Sequence, residues 1–219
     1  MNIEDLENLR REAYVKAVIR QSECDDVIGY IGMNIPVEIF YECGLMAIPV
    51  YGIDEEILQF SQEKEKNLCP LIDATVTYAK TDKCPLIHSS KLIVVEDYCR
   101  IFTRELEKLT HKQIYIYNGN IDELKMKLYE VYGRRITKDS REELQKISES
   151  IKNLKHKFNL TDFQGFVIEY FINFLDLSER INFLDELLKT SKREDFNFVH
   201  KFVNLVYHCH ECRGNFEEV

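Results

Sequence analysis

Glycine and proline are scarce, at 8 and 4 of 219 residues. Turn-dense all-β and loop-rich folds use more of both, so those classes are set aside. No stretch reaches the roughly 18 apolar residues of a membrane-spanning helix. The opening MNIEDLENLRREAYVKAVIR is charged throughout and lacks the apolar core of a signal peptide. A cytoplasmic protein with no membrane partner is expected. Positive charge is in deficit: 29 Lys and Arg against 38 Asp and Glu give a net charge of −9. Binding to a phosphate backbone needs a basic surface or stripe, and here basic residues alternate with acidic ones along helices. Nucleic acid is therefore excluded as the main partner. A glycine-rich phosphate loop, a nucleophile elbow and a zinc-protease helix are also missing, which leaves kinase and hydrolase readings without support.

What is present is ordinary globular material, 45% hydrophobic and 31% charged, enough for one sizeable domain or a domain with a subdomain. A charged amphipathic helix is expected from Ile3 to about Gln21. VIGYIG (27–32) and GLMAIPVYG (44–52) read as short buried strands bounded by glycine. Between them NIPVEIFYEC reads as a helix that Asn34 can cap and Gly44 ends. A further helix is expected from Asp54, as N-cap, to Lys66. KLIVVED (91–97) and QIYIYN (113–118) are the strongest strand candidates, with the helical RIFTRELEKL between them. Nearly all-apolar strands alternating with helices predict a parallel, Rossmann-like sheet covered on both faces. After about residue 135 only helical periodicity remains. The expected organisation is an α/β cysteine-bearing domain over 1–135 and an all-helical domain over 136–219. The series Phe158, Phe163, Phe166, Tyr170, Phe171 and Phe174 reads as the core of the helical part.

Three of the seven cysteines, Cys69, Cys84 and Cys99, are spaced 15 residues apart. Pro70 and Pro85 suit first helical positions, so each of the first two thiols sits at a helix start. Cys99 follows a strand and opens another helix. Helix starts favour thiolate, and loops after parallel strands are where α/β folds place ligands. Three such thiols would suit an iron–sulfur cluster. The spacing is not a compact metal motif, however, and free cysteine is commonly buried as a small hydrophobe, so inert burial stays open beside ligation. The tail HCHECRG adds Cys209 and Cys212 in a C-x-x-C with flanking histidines, either a partial metal site or a helix end with free thiols. Cys24 and Cys43 read as structural. His88 lies where it could reach a cluster sulfide, and it also suits a surface turn.

The stretches IGYIGMNIPVEIFYECGLMAIPVYG and TYAKTDKCPLIHSSKLIVVEDYCR resemble the 2-hydroxyacyl-CoA dehydratase and benzoyl-CoA reductase family. Gly29, Pro36, Glu38, Ile39, Gly44 and Pro49 fall on its first pattern, and Arg100 stands where the family usually has aspartate. Gly32 and Met33 replace the polar or thiol residues usual after the first strand. The resemblance, over roughly residues 25–190, implies a [4Fe–4S] cluster held by three cysteines, one from a second α/β domain. Cys69 and Cys99 match the two first-domain ligands, and Cys84 matches the extra cysteine of one branch. It also implies an acyl-CoA substrate, an ATP-dependent activator protein as electron donor, and a role near the cleft for Glu38. Because the second domain is not among these residues, the chain is expected to act with a homologous subunit or as a homodimer. The implied activity is reductive elimination of water from a 2-hydroxyacyl-CoA. The alternative is a cluster carrier, assembly or interaction protein derived from that family.

Overall fold

In a computed structural model of the chain, the described residues are 3–32, 34–61, 70–81, 83–97, 100–109 and 112–196. The chain begins with α1 (Ile3–Glu23) and β1 (Val27–Ile31). Then come α2 (Val37–Glu42), β2 (Met46–Pro49) and a 3-10 helix (Glu55–Phe60). Next are α3 (Pro70–Lys80), α4 (Pro85–Ser89), β3 (Leu92–Glu96), α5 (Arg100–Leu109) and β4 (Gln113–Tyr117). Among the described residues there follow α6 (Ile121–Tyr132), α7 (Arg141–Phe158), α8 (Asp162–Ile172), α9 (Leu177–Thr190) and a second 3-10 helix (Arg193–Phe196).

The four strands form one all-parallel sheet in the order β2-β1-β3-β4. The expected α/β class with a helical C-terminal region is what the chain adopts. Parallel strands need crossover connections, and the helices between them supply these. Alternation along the strands sends Val27, Ile31, Ile93 and Val95 to one face and Ile28, Tyr30, Leu92 and Val94 to the other. The first face is covered by α1, α3 and α4, by Val167, Tyr170 and Phe171 of α8, and by Phe174 just after it. The second is covered by α2 and by Leu124 and Leu128 of α6. A third cluster joins α7, α8 and α9 to Phe196.

Local chemistry sets the helix ends. Asn120 accepts hydrogen bonds from the amides of Asp122 and Glu123 at the start of α6, and Gly133 ends that helix in the left-handed conformation. Thr161 with Gln164, and Asp176 with Glu179, form capping boxes on α8 and α9.

Two expectations are corrected and one is refined. Asn34 does not cap α2, whose N-cap is Pro36; its side chain turns to Glu96 instead. Asp54 is the N-cap as expected, but its side chain makes no capping hydrogen bond, because its carboxylate is taken by Arg10 and Tyr78. The described part of the helix expected over 54–66 is a 3-10 helix, and residues 62–69 lie outside the described residues.

The two sheet edges differ. On β2 the amides of Met46 and Val50 donate to β1, so alternation turns Ala47 and Pro49 outward, and proline offers no N–H there. That edge is flanked by Lys16 and Ile19 of α1 and by Phe174. On β4 the Tyr117 carbonyl accepts from Asp97 on the β3 side, so Ile114 and Ile116 present their backbone groups outward.

Candidate functional site

Strand order reverses between β1 and β3, and the crevice beyond their carboxyl ends is where open α/β sheets receive ligands. Gly32 leaves β1 at φ +144°, and a Cβ there would lie 2.6 Å from Glu96 Oε2. Glycine thus lets the chain pass against the end of β3. Glu96 is held from the other side by Asn34, through the backbone N at 3.1 Å and Nδ2 at 2.6 Å. The carboxylate is fixed at the mouth of the crevice by two donors from the β1–α2 loop. Glu38, the acidic residue expected near the cleft, sits half-buried in the first turn of α2, and its carbonyl accepts from Ser140 at 3.5 Å.

At the carboxyl end of β2 a buried polar cluster forms. Arg10 binds Asp54 through both terminal nitrogens, at 2.6 and 3.0 Å, with side chains 14% and 8% exposed. The Tyr78 hydroxyl donates to Asp54 at 2.7 Å, and the Tyr170 hydroxyl donates to the Tyr51 carbonyl at 3.2 Å. Burial works against the charge on Arg10, but Tyr170, Tyr14 and the Asp54 carboxylate more than offset it and hold the guanidinium firmly protonated. Burial pushes the Tyr14 hydroxyl up to about 12 and raises Tyr78 and Tyr170 further. Sequence reasoning missed this cluster. The signal for it was the buried stripe Leu6, Arg10, Ala13, Ala17, on which an arginine needs a partner.

Cys84 borders the same cluster. It is the N-cap of α4 and only 7% exposed. Burial raises its thiol pKa, and hydrogen bonds from the Ile87 and Leu86 backbone amides only partly oppose that. The thiol is therefore protonated at neutral pH. The cavity beside it, lined by Arg10, Tyr14, Tyr78 and Tyr170, holds about 10 Å³, space for no more than one water. A cluster does not fit there, and ligation by Cys84 would require the start of α4 to withdraw from those side chains.

Cys69, Cys99, Cys209 and Cys212 lie outside the described residues. The helices that Cys69 and Cys99 precede, α3 and α5, pack against each other. Among the described residues no three His, Cys, Asp or Glu side chains gather in a way that could hold a metal ion. Cys24 is exposed, and Cys43 is a buried C-cap of α2 whose thiol burial also raises. His88 lies in the last turn of α4, and its carbonyl accepts from Gln21 and Lys112. No described helix is long and apolar enough to cross a membrane.

No protein-family model matches the chain. Over 74 residues it is 36% identical to a protein of Escherichia coli (strain K12) described as "Putative dehydratase subunit YjiM". The match covers 33% of this chain and 19% of that protein, so the similarity is to a part of the relative.

Proposed function

We propose that this chain is a subunit of a dehydratase that eliminates water from a 2-hydroxyacyl-CoA, supplying one α/β half of the substrate cleft. The similarity to a dehydratase subunit carries the reading. A parallel sheet with its crevice between β1 and β3 supports it, since that end would face a second half-cleft on a homologous subunit or a second copy. Cys69 and Cys99 are the proposed iron–sulfur ligands from this chain, each directly ahead of a helix start whose amides favour thiolate. Glu38 and Glu96 would flank the acyl-CoA. A [4Fe–4S] cluster in such an enzyme supplies one-electron transfer to the thioester, fed by an ATP-dependent activator protein. The described residues bring to that chemistry a fixed carboxylate at Glu96 and a glycine at position 32 that lets the chain run close to it.

The test is anaerobic purification with iron and acid-labile sulfide analysis. Iron and sulfide in the wild-type chain, lost in Cys69→Ala and in Cys99→Ala but kept in Cys84→Ala, are the expected results. Parallel Cys209→Ala and Cys212→Ala variants report whether the tail contributes. A chain that stays colourless after anaerobic reconstitution, alone and with a homologous subunit, would overturn the cluster assignment. Turnover of a 2-hydroxyacyl-CoA by the reconstituted pair separates an enzyme from a cluster carrier.

A further inference from the structure

A cavity of about 150 Å³ lies against the outer margin of β2, between α1 and the connection from α8 to α9. None of Gly32, Asn34 or Glu96 lines it, so it is separate from the crevice beyond β1 and β3. Its apolar walls are Ile19, Met46, Ile48, Phe174 and Leu175, and an apolar cavity of this volume takes a benzene ring. Ile19 is exposed at its mouth. We propose that it binds a free α-amino acid whose side chain is apolar and of leucine or phenylalanine size.

The polar groups of the cavity select that ligand. Alternation along β2 turns the N–H and C=O of Ala47 away from β1 and toward the cavity, although Ala47 is only 4% exposed. Buried backbone groups need partners, and no described strand pairs with this margin. Lys16, Arg20 and Asp176 bring charges of both signs to the same cavity. Arg20 gives Nε and Nη2 to Asp26, which leaves Nη1. Lys16 meets Glu179 in a surface ion pair, the kind that exchanges partners at little cost. Behind Tyr41 and Leu175 lies Arg180, only 1% exposed. Its partners are the Leu175 and Asn173 carbonyls and the Tyr41 hydroxyl, with no carboxylate among the described residues. A buried guanidinium without a counter-ion leaves that wall electropositive.

An α-carboxylate accepts from the Ala47 N–H and faces Lys16 and Arg20, while an α-ammonium donates to the Ala47 carbonyl and faces Asp176. The side chain fills the apolar walls. A hydrocarbon would leave both Ala47 groups unpartnered, and a plain carboxylic acid would leave the carbonyl and Asp176 without a donor. A strand is turned away by Pro49, which has no N–H to offer at the next outward position. The inference does not depend on the dehydratase reading.

Calorimetric titration of the full chain with L-leucine and with L-phenylalanine tests it. Saturable binding with a dissociation constant below about 1 mM is expected, with a melting temperature that rises with ligand concentration. 4-Methylpentanoate lacks the ammonium and L-leucinamide lacks the carboxylate, and each should bind at least about tenfold more weakly than L-leucine. Ile19→Trp blocks the mouth from an exposed position and should abolish binding with an unchanged circular dichroism spectrum. Asp176→Asn keeps a residue suited to cap α9 and should lower the affinity for L-leucine to that for 4-methylpentanoate. No saturable binding of either amino acid up to about 10 mM would overturn the proposal. Equal affinity for L-leucine and 4-methylpentanoate would overturn the choice of ligand. Binding that both variants leave intact would overturn the site.

Discussion

The guanidinium of Arg10 meets the carboxylate of Asp54 end-on, across 44 residues of sequence, and ties α1 to the loop after β2. Both side chains are largely withdrawn from water, so each depends on the other for its charge. Arg10→Met or Asp54→Ala alone strands a buried charge and is expected to cost about 3–5 kcal/mol. The double variant Arg10→Met/Asp54→Leu should cost less than either. Urea denaturation of the three variants checks the order, and a double variant worse than both singles would refute it.

Gly32 is expected to tolerate no side chain. Alanine there meets the Glu96 side chain and must adopt φ +144°, a conformation that favours glycine. Gly32→Ala should lose about 2–4 kcal/mol, combining backbone strain with overpacking. Adding Glu96→Gly removes the clash but leaves the strain, so it should return part of that loss. Thermal melts of the single and double variants distinguish the two contributions.

Asp26 gives the chain a defined acid limb. Its buried carboxylate pairs with Arg20 and, at 3.2 Å, with Arg134. Burial opposes ionisation, but the hydrogen bonds and charges of Arg20 and then Arg134 outweigh it and hold the pKa below the usual carboxylate value. A depressed folded-state pKa adds stability above the unfolded value of about 4, and that stability is lost as pH falls through the folded value. Asp26→Asn should therefore cost about 1–3 kcal/mol at pH 7. The gap from wild type should close toward pH 3, as followed by denaturant midpoints. A gap that does not change with pH would show that the pair contributes through shape alone.

Thiol reactivity should separate the cysteines by burial. Cys24 is exposed, whereas Cys43 and Cys84 are buried with raised pKa values. Iodoacetamide at pH 7.5 should label Cys24 at least about tenfold faster than Cys84, since only accessible thiolate reacts. Peptide mass spectrometry reads the rates. Equal labelling in the folded chain would mean that the start of α4 opens readily.

Much of the fold was legible because apolar runs such as LIVVE and VIGYI announce strands buried on both faces. The helix between each pair of strands then makes parallel pairing the expected arrangement. Asn34 is not the cap it looked like, and Asp54 holds the N-cap position without capping through its side chain, for one shared reason. A short polar side chain before a helix looks like a cap, and nothing nearby in sequence shows that Glu96 or Arg10 will claim it. The helix starts after Cys69, Cys84 and Cys99 were visible in the prolines and in the end of β3. The burial of Cys84 was not, because Tyr14, Tyr78 and Tyr170 arrive from three separate helices to enclose it.

Pro49 decides how far any growth of this sheet can go. It sits at an outward position of β2, where a neighbouring strand would need an N–H that proline does not have. A strand laid against β2 would leave its own carbonyl opposite Pro49 without a donor, whereas β4 contains no proline. The proline thus works against fibre growth, because a stack that extends through both margins of the sheet would have to pair across it.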